Sequence, residues 1–357
     1  MRSRIYCMRY IIRVFTIGLS CLLLCSGSLY AQKTEQQGGG IVYPGDNPFG
    51  YDPSRSFLHS FLSQFWLSVS TGHYRTSYAH DLTDYAVLRK NDTVYIIPQA
   101  ALNPTGGNVG IRNWYTMPVP DSVNINAGTD SLVTSDTTLI QYTGAGRGTP
   151  VDINLRFDYQ RFRIGAGISF EFHKFKNASP DAHGDILGEW RPEPRKTTIR
   201  RIYLLLGYDI LDYRLYGLAG DLRVAILNMG RGFDQSLMEQ SIALNLGLSY
   251  ERKFSEIFRV FVRGGYEFKS YTMNLPPGAL SVRNASWTLN VGASFSFPHL
   301  PRCPVKKCTT QIDHAHAGNA YRSRMHPFWK WQNPHYGENN PTLIPYKRKN
   351  RRKMWAY

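Results

Sequence analysis

The chain has 357 residues, with 42 Lys and Arg against 26 Asp and Glu, and its formal net charge is +16. Twelve basic and only two acidic residues lie after residue 300, four basic residues lie in the first 31, and the segment between is nearly neutral. No apolar run beyond the amino terminus approaches the roughly 20 residues of a membrane-spanning helix, so if the rest of the chain is embedded in a membrane, it is embedded as a barrel.

The amino terminus has the pattern of an export signal. Arg2, Arg4, Arg9 and Arg13 precede an apolar stretch, and Ala31 supplies a small residue for cleavage before Gln32. We predict a cleaved signal peptide over residues 1–31, with an uncleaved anchor as the alternative. Export argues against nucleic acid as the partner of the basic residues, and none is predicted.

Residues 32–60 are rich in Gly, Gln, Pro and Asp and predict an irregular leader. A first strand is expected over 61–73, with Phe61 facing outward. A long loop, 74–150, follows. Within it Tyr85 to Ile97 predicts a hairpin that turns at Asn91-Asp92.

From Val151 to Phe297 apolar and polar residues alternate with period two. Leu244, Leu246 and Leu248 share one face of a strand, while Asn245 and Ser249 share the other. The apolar faces are about as long as the 9 to 11 residues of a membrane-spanning strand. Seven such strands are predicted: 151–159, 162–175, 198–210, 213–226, 240–252, 257–271 and 285–297.

These strands predict an all-β fold, an eight-stranded antiparallel transmembrane β-barrel over 61–297. The connections run long, short, long, short, medium, short, medium, and in outer-membrane barrels the short turns face the periplasm. Both ends of the barrel would then lie on the periplasmic side. A ten-stranded wall is the alternative if the hairpin at Tyr85 joins it.

Charged residues occupy the inward positions of the predicted strands. An eight-stranded barrel is only wide enough for its own side chains, so near-balance of charge predicts interlocked ion pairs and no pore. The cations are Arg156, Arg163, Arg201, Arg223, Arg259, Arg263 and Lys269, and the anions are Asp158, Glu171, Asp209, Asp221, Glu251 and Glu267.

Residues 298–357 form a basic tail without helical or strand periodicity. Cys303 and Cys308 are the two cysteines left after the signal, and in an oxidising compartment a disulfide between them is expected. With His314 and His316 they also form C-x4-C-x5-H-x-H, whose ligand types suit tetrahedral zinc, although the spacing matches no zinc module that we can name. The metal alternative stays open, and no cofactor is otherwise predicted.

Further along the tail, aromatic residues stand among the cations. Phe328, Trp329, Trp331 and Tyr336 are the predicted partner-binding residues, because aromatic anchors carry most interface energy. The cations would attract an acidic surface. We expect a periplasmic arm that binds a protein or peptidoglycan partner; a solvated tail without a partner is the alternative.

The chain resembles the small OmpA/OmpX-like outer-membrane β-barrels over residues 61–297. Its tail, with Cys303-Pro-Val-Lys-Lys-Cys308, His-x-His and Gln332-Asn-Pro-His-Tyr-Gly337, resembles tails of outer-membrane proteins of Bacteroidota-type bacteria. Some small barrels there, PorG- and PorT-like, serve type IX secretion. The resemblance implies outer-membrane lipid around the wall and a cell-envelope assembly as partner.

The leading hypothesis is a non-enzymatic outer-membrane barrel that anchors or scaffolds an envelope assembly through its tail. A surface adhesin or receptor that uses the long first loop is the second hypothesis. The third is a barrel enzyme that acts on lipid or lipopolysaccharide, with candidates in the group Ser70, His73, Ser77, His80 and Asp81.

Overall fold

The computed structural model describes residues 57–324, apart from 127, 135–138, 194, 214, 231, 240–241, 276–277 and 309–313. The predicted signal peptide, the predicted leader before Phe57 and the tail after Arg324 lie outside this range. A short helix, α1 (Phe57–Leu62), leads into the sheet. The wall strands are β1 (Phe65–Asp81), β7 (Gln141–Tyr159), β8 (Phe162–Pro180), β9 (Lys196–Tyr213), β10 (Tyr216–Asn228), β12 (Ile242–Lys253), β13 (Phe258–Leu275) and β14 (Gly278–Ser296).

These eight strands form a closed antiparallel ring. Each pairs with its neighbours in the order β1, β7, β8, β9, β10, β12, β13, β14, and β14 pairs back onto β1, with Trp66 opposite Ser296. A two-residue strand, β11 (Met238–Glu239), adds to β13 at one end. The predicted eight-stranded barrel is therefore confirmed.

The hairpin predicted at Tyr85 also forms, but it does not join the wall. Its strands β2 (Tyr85–Lys90) and β3 (Thr93–Pro98) turn at Asn91 and Asp92, which both have positive φ. They belong to a separate five-stranded sheet, so the ten-stranded alternative is wrong. The other strands of that sheet are β4 (Gly107–Arg112), β5 (Val119–Asn124) and β6 (Ser131–Val133).

Several boundaries differ from the predicted ones. Phe61 lies in α1, so β1 begins at Phe65. Most wall strands run further toward the long connections than expected: β1 continues to Asp81 and β7 begins at Gln141, which shortens the first long loop to 82–140. Beyond Thr71 the outward positions are polar except for Ala79, so the apolar alternation ends before the strand does.

The distribution of polarity is inverted relative to a soluble protein. Leu246 is 55% exposed on the outside of the wall, whereas Glu251 on the same strand is 1% exposed inside it. The other exposed outward residues form a continuous apolar belt that includes Leu67, Val69, Ile153, Leu155, Ile164, Ile168, Ile202, Leu204, Leu206, Leu244, Leu248, Leu289 and Val291. A belt of this extent requires lipid against it, and the wall is that of a transmembrane β-barrel.

Aromatic residues border the belt at the rim that carries the short turns. Phe65 lies 5.1 Å from Phe157 between ring centroids, and Phe162 lies 5.3 Å from Tyr208. Such girdles are typical of the interface between hydrocarbon and water. We call this end, where α1 and the end of β14 also lie, the turn rim, and the opposite end the loop rim. Among the described residues no helix is long and apolar enough to span a membrane.

The interior of the wall holds the predicted network of ion pairs. Glu251 accepts hydrogen bonds from Arg156 at 3.1 Å and from Arg163 at 2.9 Å. Each of the seven predicted cations pairs with at least one carboxylate, and Asp152, which was not among the predicted anions, pairs with Arg223. A central cavity of about 20 Å³, enough for about one water, lies between them.

An aromatic cluster occupies the loop rim. Trp114, in the loop between β4 and β5, stacks on Trp190 at 4.4 Å and donates a hydrogen bond from Nε1 to Nδ1 of His80 at 3.0 Å. Tyr115 beside it stacks on Tyr78, which faces inward from β1. The first long loop is thereby packed onto the mouth of the barrel.

Candidate metal centre

The first part of the candidate centre is the segment from Cys303 to Cys308, which begins seven residues after Ser296, the last residue of β14. Cys303 donates its backbone N–H to the carbonyl of Arg322 at 3.1 Å, and Cys308 donates to the carbonyl of Val305 at 3.1 Å. The second bond closes a tight turn, which returns Cys308 toward Cys303. Four residues separate the cysteines in sequence, yet their ligand atoms lie within 4.8 Å of each other.

The second part is a small hairpin. β15 (His314–His316) pairs with β16 (Asn319–Tyr321), and the chain turns at Ala317 and Gly318, whose φ values are 48° and 82°. Residues two apart on a strand face the same side, so both imidazoles are presented together. The prediction of a tail without strand structure is wrong in this segment. The sequence signal for this turn is Gly318 directly after Ala317, and a pair of this kind does not mark a turn clearly enough to be recognised from the sequence.

The two parts bring the four side chains together. One ligand atom from each of Cys303, Cys308, His314 and His316 lies within 4.8 Å of the other three. The Cys308 Sγ is 3.3 Å from the His314 Nε2. Tetrahedral zinc with Zn–S of about 2.3 Å and Zn–N of about 2.0 Å places its ligand atoms roughly 3.3 to 3.8 Å apart. A contraction of about 1 Å would complete that geometry.

Two further observations fit a ligand at this position. Cys303 is 1% exposed, and the His316 Nε2 is buried without a hydrogen-bond partner among the described residues. A buried nitrogen without a partner costs free energy that a metal bond would recover. Burial raises the pKa of the Cys303 thiol, and a metal ion at this position would have to offset that effect, because zinc binds the thiolate.

The disulfide expected between Cys303 and Cys308 stays a prediction, since the two side chains lie close together here. The same juxtaposition that would permit a disulfide also places two imidazoles against the thiols. Two arginines contact the cysteine segment. The Arg324 guanidinium lies 3.4 Å from the carbonyl of Cys303, and Arg302 donates a hydrogen bond to the carbonyl of Arg324 at 3.2 Å. The predicted partner-binding residues Phe328, Trp329, Trp331 and Tyr336 lie outside the described residues.

The candidates for an enzymatic site do not converge on one side of the wall. Ser70 and His80 face the interior and are buried, whereas His73, Ser77 and Asp81 face outward and are exposed. Alternation along one strand accounts for this, because neighbouring positions point to opposite faces. The side chain hydrogen-bonded to the His80 ring is Trp114 rather than a serine or a carboxylate.

Comparisons with known proteins give fold likenesses at low identity. No protein-family model matches the chain, and no curated protein matches it. Similar solved structures include the outer membrane protein OprG from Pseudomonas aeruginosa (9% identity, 66% of this chain and 98% of that one, TM-score 0.34). AlkL (12%, 69% and 95%, 0.32) and the outer membrane protease OmpT from Escherichia coli (13%, 66% and 97%, 0.29) are also similar. At these scores the likenesses carry no argument about function.

Proposed function

We propose that this protein is a non-enzymatic outer-membrane barrel that anchors a cell-envelope assembly through its basic tail, and that a zinc ion holds the base of that tail. The thiol–imidazole cluster immediately after the last wall strand is the observation that carries the proposal. Structural zinc sites with four Cys and His ligands organise short segments that cannot build a core. Here the segment organised is the one that joins the wall to the aromatic arm.

The barrel itself supports an anchoring role. Within the described residues its interior is filled by paired charges and the first long loop packs on its mouth through Trp114, an arrangement that disfavours passage of a solute. Both ends of the wall lie on the turn rim, which faces the periplasm in outer-membrane barrels. The tail would therefore meet periplasmic proteins or peptidoglycan. Because the chain resembles PorG- and PorT-like barrels, we propose the type IX secretion machinery as the first assembly to test as its partner.

The metal is tested on the purified full-length protein. We expect about one zinc per chain by elemental mass spectrometry, and none in Cys308→Ser or His314→Ala. His73→Ala removes an exposed imidazole from the wall and serves as the matched control. Thiol labelling distinguishes the alternatives, since a chelator should expose both thiols of a zinc site, whereas only a reductant should expose those of a disulfide. Labelling that requires the reductant would exclude the zinc proposal.

The arm is tested by capture of envelope partners from solubilised outer membranes and by co-sedimentation with peptidoglycan. Truncation after Phe297 should leave a folded barrel that captures neither. Trp329→Ala together with Trp331→Ala should weaken capture more than deletion of 347–353, because buried aromatic area holds a partner that exposed cations only attract. Equal capture by the truncated and full-length proteins would refute the anchoring proposal.

A further inference from the structure

Four cations form a row across neighbouring strands on the outside of the wall. Arg75 on β1 lies opposite Arg147 on β7, Arg147 lies opposite Lys174 on β8, and Lys174 lies opposite Lys196 on β9. All four are exposed and face outward. Since strands are about 4.8 Å apart, the row extends over roughly 14 Å. We call these residues the cation row.

Such a row is unfavourable without an anion. Like charges directly opposite one another on a sheet are destabilising. Inside the barrel each of the seven predicted cations pairs with a carboxylate, whereas no member of the cation row forms an ion pair within the described part of the chain. On β1 the outward carboxylate is Asp81, six residues or about 20 Å from Arg75.

The cation row stands where the apolar belt ends at the loop rim. On β8 the outward residue two positions before Lys174 is Phe172, which is 57% exposed and is the last apolar outward residue of that strand's belt. On β14, Trp287 faces outward opposite Arg75 and contacts Tyr266 at 4.6 Å. Exposed aromatics next to a polar band mark the level of lipid headgroups. The row therefore lies at headgroup depth in the leaflet around the loop rim.

We propose that the cation row binds the phosphate groups of a phosphorylated glycolipid in that leaflet. Guanidinium groups bind phosphate with two parallel hydrogen bonds, and ammonium groups bind it as point charges, so the row offers both modes. Its length suits a headgroup with more than one phosphate. The inference rests on the proposed outer-membrane location for the identity of the lipid, and it uses the wall alone, independently of the tail.

The test measures binding of fluorescent lipopolysaccharide with a bis-phosphorylated lipid A to the full-length protein in neutral detergent. Arg147→Gln with Lys174→Gln removes the middle of the cation row. Arg161→Gln with Arg252→Gln removes two exposed cations at the turn rim and is the matched control. We expect the row variant to bind at least about tenfold more weakly and the control to bind like the unmodified protein. Heat-modifiable migration on a gel verifies that each variant is folded.

A second measurement needs no variant. Lipopolysaccharide whose lipid A has been dephosphorylated should bind the unmodified protein at least about tenfold more weakly, and inorganic phosphate at the same concentration should not displace the intact lipid. Equal binding of the two lipopolysaccharides, or of the row variant and its control, would overturn the proposal. Displacement by inorganic phosphate would mean that the cation row binds free anions rather than a lipid, and it would also overturn the proposal. The protein truncated after Phe297 should bind as the full chain does, which separates this result from the test of the tail.

Discussion

Glu251 is the residue whose replacement should reveal how the barrel interior is held together. Its carboxylate lies 3.1 Å from Arg156 and 2.9 Å from Arg163, and Arg259 approaches it at 3.5 Å. Glu251→Gln preserves the size and one acceptor of the side chain but removes the charge. Three guanidinium groups would then share a space from which water is nearly excluded.

The expected cost follows from what each guanidinium retains. Breaking a buried ion pair by removal of one partner costs about 3 to 5 kcal/mol. Arg156 keeps Asp158 at 3.2 Å, Arg259 keeps the same carboxylate at 3.5 Å, and Arg163 keeps Asp209. Partial compensation of this kind places the loss of unfolding free energy near the lower limit, about 3 kcal/mol.

The assay is equilibrium unfolding of the purified barrel in detergent by guanidinium chloride, followed by tryptophan fluorescence and by heat-modifiable migration. Asp212→Asn is the control, because it removes a carboxylate that pairs with Lys253 but is 59% exposed. The control should lose no more than about 1 kcal/mol. If the two variants were equally stable, the interior charges would not be the structural core that their burial indicates.

Three further outcomes are expected. Leu246→Lys, which places a charge in the middle of the apolar belt, should cost about 2 to 4 kcal/mol of unfolding free energy in lipid vesicles. Ser77→Lys, outward but beyond the belt, should cost about 1 kcal/mol or less, and equal costs would contradict a lipid-facing wall. Planar-bilayer recordings should show no stable conductance, and long-lived open channels would mean that the interior is not packed. Trp114→Ala should make the 82–140 loop sensitive to protease while the wall stays folded, whereas Val109→Ala, at an exposed position of the same loop, should not.

The wall could be predicted from the sequence where lipid lies on one side of it. At Leu244, Leu246 and Leu248 the outward positions are uniformly apolar, so the period of two is unmistakable. Above Thr71 on β1 the outward residues become polar while inward ones such as Tyr78 become aromatic. The alternation of polarity is lost there although the strand continues, which is why the predicted strand ended eight residues early.

The fold of the first long loop and the candidate metal centre were predictable only in part. Asn91-Asp92 marked one hairpin, because these residues tolerate positive φ, but the pairing of β4 with β5 depends on contacts that no local pattern encodes. The four metal-ligand candidates were visible as residue types. Their convergence was not, because it requires the turn at Ala317 and Gly318 and the backbone bond from Cys303 to Arg322.

The pairing of β1 with β14 also constrains how the barrel can be made. Trp66 and Ser296 are direct partners although 230 residues separate them, so the ring has an open seam until nearly the entire wall has been assembled. An open seam exposes two rows of unpaired N–H and C=O groups, which hydrocarbon does not tolerate. The chain must therefore reach the membrane as a complete but unsealed polypeptide, kept from aggregating by other factors, and sealing must coincide with entry into lipid. A variant that weakens the seam at Ser68 and Ser294, whose hydroxyls bond across it at 2.8 Å, should slow insertion more than it lowers final stability.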